Sequence, residues 1–143
     1  MGMRILAAVN GRVSERHPDL PGIERIIDLR FYRDVPGADT DSRNVVVLGD
    51  HMIDRSPCGT GTCAETALRH DRGELSIGED FVSESILGTR FRGRLVGRAT
   101  VGSGCNVRDA VRPCVTGSAY VTGLHNSVLQ PGDPFPAGFR LGT

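Results

Sequence analysis

The stretch "DRSPCGTGT", residues 54–62, brings Asp54, Cys58 and two glycines into one short loop. A cysteine reacts as its thiolate, and a place just ahead of a helix favours that anion, because the first N–H groups of a helix lack intrahelical partners. Gly59 and Gly61 have no side chain to shield the backbone, so the N–H groups of Gly59, Thr60, Gly61 and Thr62 form a candidate nest for a carboxylate. Asp54, four residues before the cysteine, is a candidate partner for a substrate ammonium. A thiolate beside a bound carboxylate suits removal of the proton on the adjoining carbon, with the same amides holding the charge that develops. Residue types alone leave a plainer alternative open. A free cysteine is more often a small buried hydrophobe, a Gly-rich turn is more often only a turn, and Asp54 then caps a loop.

The elements that must position these groups follow from patterning. "NVVVLGD" (44–50) is a β-branched run closed by Gly49-Asp50, and it reads as a buried strand that delivers the chain to the loop. "TCAETALRHDRG" (62–73) reads as a helix: Thr62 and Glu65 fit a capping box, Arg69, His70 and Arg72 suit the last turn, and Gly73 suits the stop. Cys63, Ala64, Ala67 and Leu68 share one side of it and are small enough to let strands approach, which predicts a core helix. Upstream, Ile5, Leu6, Val9 and Val13 recur at helical spacing from Arg4 to Val13, and Pro18, Pro21 and Gly22 end the pattern. "IIDLRFY" (26–32) alternates Ile27, Leu29 and Phe31 against Asp28, Arg30 and Tyr32, a strand with its apolar set buried. Downstream, "FVSESIL", "TRFRGRLVGRATV" and "CVTGSAYVTGL" read as strands before the turn-rich "QPGDPFPAGF".

At 143 residues the chain has room for one core and not for two ordinary domains. Seventeen acidic and seventeen basic residues balance, so no overall charge draws it to nucleic acid or to an anionic membrane. No segment approaches the roughly 20 apolar residues that span a bilayer, and "MGMRILAAVNG" lacks the apolar centre of a signal peptide; a cytoplasmic protein is expected. Free thiols are the default in that compartment. The spacings of Cys58, Cys63, Cys105 and Cys114 do not match a zinc knuckle, so no metal is expected, and the last three read as core or loop thiols.

"DRSPCGTGT" closely resembles the second catalytic-cysteine motif of the proline racemase family, which comprises proline racemases, 4-hydroxyproline epimerases and trans-3-hydroxyproline dehydratases. "HPDLPGI", "ADTDSRNVVVLGD", "SESILGTRFRG" and "VTGSAYVTG" extend the similarity, so nearly the whole chain resembles the C-terminal portion of a family member. The resemblance implies a cofactor-independent isomerase in which two cysteines face each other across the substrate Cα. Cys58 is then one of the pair, Asp54 holds the ring nitrogen of an imino acid, and Gly59 and Thr60 lend backbone donors to its carboxylate. It further implies an α+β lobe with strands wrapped around a central helix that begins near Thr60 to Thr62, one half of the diaminopimelate-epimerase-like fold.

The family's other cysteine lies in a Cys-Gly-His motif, and no Cys-Gly-His occurs in this sequence. Residues 1–143 are therefore expected to form a single partial catalytic lobe, with a complementary N-terminal lobe as its partner and a tendency to self-associate through an uncovered apolar face. Three readings stay open: an epimerase of proline or 4-hydroxyproline, a dehydratase, and an inactive or anion-binding remnant.

Overall fold

The structure, a computed structural model, describes residues 1–14, 16–37, 39–49 and 51–138. Its elements run α1 (Gly2–Asn10), β1 (Leu29–Asp34), β2 (Ser42–Gly49), β3 (Met52–Ile53), α2 (Gly59–Asp71), β4 (Asp80–Ser85), β5 (Arg90–Val101) and β6 (Arg108–Thr116). The fold is mixed α+β, a six-stranded sheet in the order β1-β2-β4-β5-β6 with β3 added to β2. Every pairing is antiparallel except β2 with β4, where Ser42, Arg43 and Asn44 face Ser83, Glu84 and Ser85 in parallel. A parallel pair requires a crossover, and that crossover carries both the "DRSPCGTGT" loop and α2. Parallel pairing is thus what lays α2 on the sheet.

The surface beneath α2 is polar. Ser42, Asn44, Ser83 and Ser85 of the sheet are buried, and so are Thr62, Glu65 and Thr66 of the helix. The expected apolar face of Cys63, Ala64, Ala67 and Leu68 is not the buried one; Ala64 and Leu68 are exposed. The small residue that permits close approach stands on the strand instead. A Cβ at Gly93 would lie 2.9 Å from Thr66 Cγ2 and 3.1 Å from Thr62 Cγ2. An apolar core of Leu75, Phe81 and Leu95, with Val111 against it, fills the end of the sheet beyond the helix.

β1 reverses its expected parity. Arg30 pairs with the fully buried Val46 and shares its face, while Phe31 is exposed, as is Ile27 ahead of the strand. The alternation was legible, but the buried ion pair that draws Arg30 inward was not. α1 begins and ends before the predicted 4–13; Val13 is exposed, and Asn10 turns its side chain to residue 26, donating to Ile26 O at 2.7 Å and accepting from Ile26 N–H at 2.9 Å. The helical stop after α2 is as expected: Gly73 takes φ +75°, with Gly73 N–H to His70 O at 3.0 Å and Glu74 N–H to Arg69 O at 2.8 Å, a Schellman closure.

The strand expected over 114–124 exists only as far as Thr116, as the end of β6. From 117 to 138 there is neither helix nor strand, and Tyr120, Val121 and Leu124 are almost fully exposed. No described surface of this chain covers that alternating segment. Among the described residues no helix is long and apolar enough to cross a membrane.

Candidate active site

The motif loop is built from its own polar side chains. Asp54 leaves β3 with its N–H on Val46 O at 2.9 Å, and its Oδ1 accepts both Ser56 N–H and Ser56 Oγ–H at 2.9 Å. This is the short-range turn that Asp followed two residues later by Ser favours. Ser56 Oγ in turn accepts the Cys58 N–H at 3.0 Å. From the β4–β5 turn, Thr89 Oγ1 donates to Arg55 O at 3.0 Å.

Cys58 is the N-cap of α2 and has φ +66° and ψ 120°. The left-handed region costs a non-glycine residue on the order of 1–3 kcal/mol, so its surroundings must impose it. Cys58 O accepts Thr62 N–H at 2.9 Å and Thr62 Oγ1–H at 2.8 Å. Its sulfur accepts Gly61 N–H at 3.3 Å, with Thr60 Oγ1 also 3.3 Å away. Sulfur thus takes the capping position that a serine or aspartate oxygen usually fills. The capping box expected at Thr62 and Glu65 does not form, because the helix starts three residues earlier; Thr62 folds back on Cys58 O and Glu65 lies buried inside.

The carboxylate nest is smaller than the four amides expected. Gly61 N–H serves the sulfur and Thr62 N–H serves Cys58 O. The N–H groups of Gly59 and Thr60 precede the first helical hydrogen bond and have no partner among the described residues. A cleft of about 420 Å³ opens beside them, lined by Cys58, Thr60 and Gly61 with Arg30, Tyr32 and Val46 among its walls. Cys58 is 7% exposed and reaches solvent through this cleft. Asp54 does not line it; it acts on the loop through Ser56.

Arg30, Ser56 and Glu65 are the site residues that patterning missed. Glu65 has a side chain 1% exposed and is met by Arg30, by Arg69 and by Ser42 Oγ at 3.2 Å. Burial opposes the charge on Arg69, but hydrogen bonds to Asp34 and Glu65 outweigh it and raise that guanidinium above its ordinary range. Ser56 could have been found from the Asp-x-Ser spacing; Arg30, 35 residues from Glu65, left no local signal.

Cys63, one turn on, is a different thiol. Burial foremost, with the neighbouring Cys58 adding, pushes it up, away from the anionic form. Cys105 and Cys114 are exposed and free. Among the described residues no group of three or more His, Cys, Asp or Glu could hold a metal ion.

The chain is 39% identical over 141 residues to the proline racemase of Acetoanaerobium sticklandii, covering 99% of this chain and 41% of that protein. It is 44% identical to the 4-hydroxyproline 2-epimerase of Streptosporangium roseum, covering 98% and 40%. A crystal structure of a hydroxyproline epimerase from Agrobacterium vitis with bound trans-4-hydroxy-L-proline superposes with TM-score 0.78 at 36% identity, over 98% of this chain and 39% of that one. The chain thus spans about two-fifths of the length of these relatives. The sequence profile described as proline racemase matches residues 1–140, and the chain belongs to the proline racemase family.

Proposed function

We propose that this chain supplies one of the two bases of a cofactor-independent epimerase acting on proline or 4-hydroxyproline. The observation that carries the reading is the setting of Cys58: a sulfur held on Gly61 N–H, beside two unpartnered amides, at the wall of a small cleft. The substrate carboxylate sits on the N–H groups of Gly59 and Thr60; the family resemblance gives the ring nitrogen to Asp54, which in this chain stands outside the cleft with Oδ1 on Ser56. Cys58 thiolate takes the Cα proton; the C–H bond breaks, an S–H bond forms, and the electron pair moves into the carboxylate, where the amides hold it. A second thiol, in a complementary lobe with Cys-Gly-His, delivers a proton to the opposite face, and the centre is inverted.

Inversion needs two faces and these 143 residues offer one base. A facing acid within reach is worth roughly 10²- to 10⁴-fold, and closure of a dry cleft adds to it. The test is chiral chromatography on proline and 4-hydroxyproline, with this chain alone and with a Cys-Gly-His lobe added. Weak turnover alone and restored epimerisation together are expected. Full epimerisation by the 143-residue chain alone would sink the two-lobe account, unless Cys58 of a second copy is the opposing base. Loss of water from 3-hydroxyproline would identify a dehydratase, and pyrrole-2-carboxylate binding without turnover would identify an anion-binding remnant.

A further inference from the structure

One peptide group in the site is gripped at both ends from different parts of the chain. Ser56 Oγ accepts the Cys58 N–H at 3.0 Å, and Arg30 Nη1 donates to Pro57 O at 2.7 Å. Those two atoms belong to the single peptide plane that precedes the Cys58 Cα. Fixing that plane fixes the angle about the Cys58 N–Cα bond, which stands at +66° in a region cysteine seldom enters unforced. The following plane is fixed as well, since Cys58 O accepts two hydrogen bonds from Thr62. Held on both sides, the Cα can send its sulfur only along a narrow set of directions, and the one adopted ends on Gly61 N–H.

We propose that Arg30 is a positioning residue for the Cys58 thiol, holding the Pro57–Cys58 peptide in the orientation that aims the sulfur at the start of α2. Its contribution is geometric, because its charge is matched by buried Glu65 while its Nη2 also donates to Ser83 Oγ at 2.9 Å. Arg30 Nε, by contrast, is buried with no hydrogen-bond partner among the described residues, so the group is placed for what its two terminal nitrogens reach. The arrangement also explains the second glycine of "CGTGT". A Cβ at Gly61 would stand 2.9 Å from Arg30 Nη1 and 3.3 Å from Arg30 Cδ. The bare Cα is the gap through which the guanidinium reaches Pro57.

This inference rests on Cys58 being the reactive thiol, yet its test needs no turnover. The charged and titratable groups around that thiol are Arg25, Asp28, Arg30 and Tyr32 from the chain before and within β1, Cys63 and Glu65 of α2, and Asp54 acting through Ser56. Replacing Arg30→Met together with Glu65→Gln removes one positive and one negative charge, so a changed response reports orientation rather than net charge. The measurement is the rate of iodoacetamide labelling at each cysteine of the full chain against pH, resolved by peptide mass spectrometry. Relative to the unaltered chain, the double variant should slow Cys58 labelling at neutral pH about tenfold. Cys105 and Cys114 should not change. Arg30→Lys, which can still donate to Pro57 O, should recover part of the rate. A double variant with an unaltered circular dichroism spectrum and an unmoved Cys58 profile overturns the proposal. Should that variant fail to fold, Ser56→Ala frees the other end of the same peptide, and an unmoved profile there overturns it equally. A shifted profile with no epimerisation on adding a Cys-Gly-His lobe would sink the racemase reading and leave this one standing.

Discussion

The loop over 54–62 and the segment over 117–138 are both rich in turn-forming residues, yet they end in opposite conditions. In the loop, polar groups are tied within the chain, Asp54 on Ser56, Ser56 on Cys58, Arg30 on Pro57 and Thr89 on Arg55, and the amides of Gly59 and Thr60 are left open toward the cleft. The later segment is held by little more than local turns, such as Asp133 N–H to Gln130 O at 3.1 Å, and its large apolar side chains face solvent. Polar groups find partners nearby in sequence or through one long arginine, so the loop around Cys58 is tied down within this chain. Apolar residues require a surface, and Tyr120, Val121, Leu124, Val128 and Leu129 stay largely exposed.

That contrast can be broken first at the sulfur. Cys58→Ser should abolish, by at least about 10²-fold, whatever epimerisation a complementary lobe restores, because the proposed base is gone. It should leave the thermal midpoint unchanged or raise it, since serine is a stronger N-cap than cysteine and can accept the same Gly61 N–H. A large fall in midpoint would show that sulfur holds the loop for reasons other than capping. The next largest effect is expected from Gly93→Val, which presses a branched side chain against the methyls of Thr62 and Thr66 and lifts α2 from the sheet. Overpacking of this kind costs about 1–3 kcal/mol, readable in urea unfolding. The smallest effect should come from ending the chain after Thr116. Unfolding free energy should change little, because the described part of the removed segment, 117–138, is exposed throughout, while self-association in sedimentation should weaken as its apolar side chains are lost. A strongly destabilised truncation would show that the segment covers part of the sheet.

The fold class and the strand, loop and helix order around Cys58 were legible because they rest on local signals. A β-branched run, a Pro-Cys-Gly turn, a helical stretch and a terminal glycine each act within a few residues. The helix was expected to begin near Thr60 to Thr62 and begins at Gly59, while the capping box at Thr62 and Glu65 does not form because the N-cap is Cys58. The buried side of α2 was misread for a related reason. Periodicity counts apolar residues, whereas this interface is Thr62, Glu65 and Thr66 against serines and Arg30, with Glu65 met by Arg30 and Ser42 across it. A polar interface with long-range partners leaves no periodic trace. The segment after Thr116 keeps a strand-like pattern that implies a face to bury, and the pattern says nothing of where that face lies.

The parallel pairing of β2 with β4 has a consequence in time as well as in space. Arg43 and Glu84, paired across it, lie 41 residues apart, so the pairing closes a long loop, and loop entropy is lost before the contacts repay it. Arg30 depends on that closure, since one of its partners, Ser83, stands on β4. The first turns of α2 can form on their own, but the grip that directs the cysteine forms only when both strands are in register. The directed thiol is therefore among the last features of the chain to mature, and pulse labelling during refolding should find helical signal before it finds a fast-reacting Cys58.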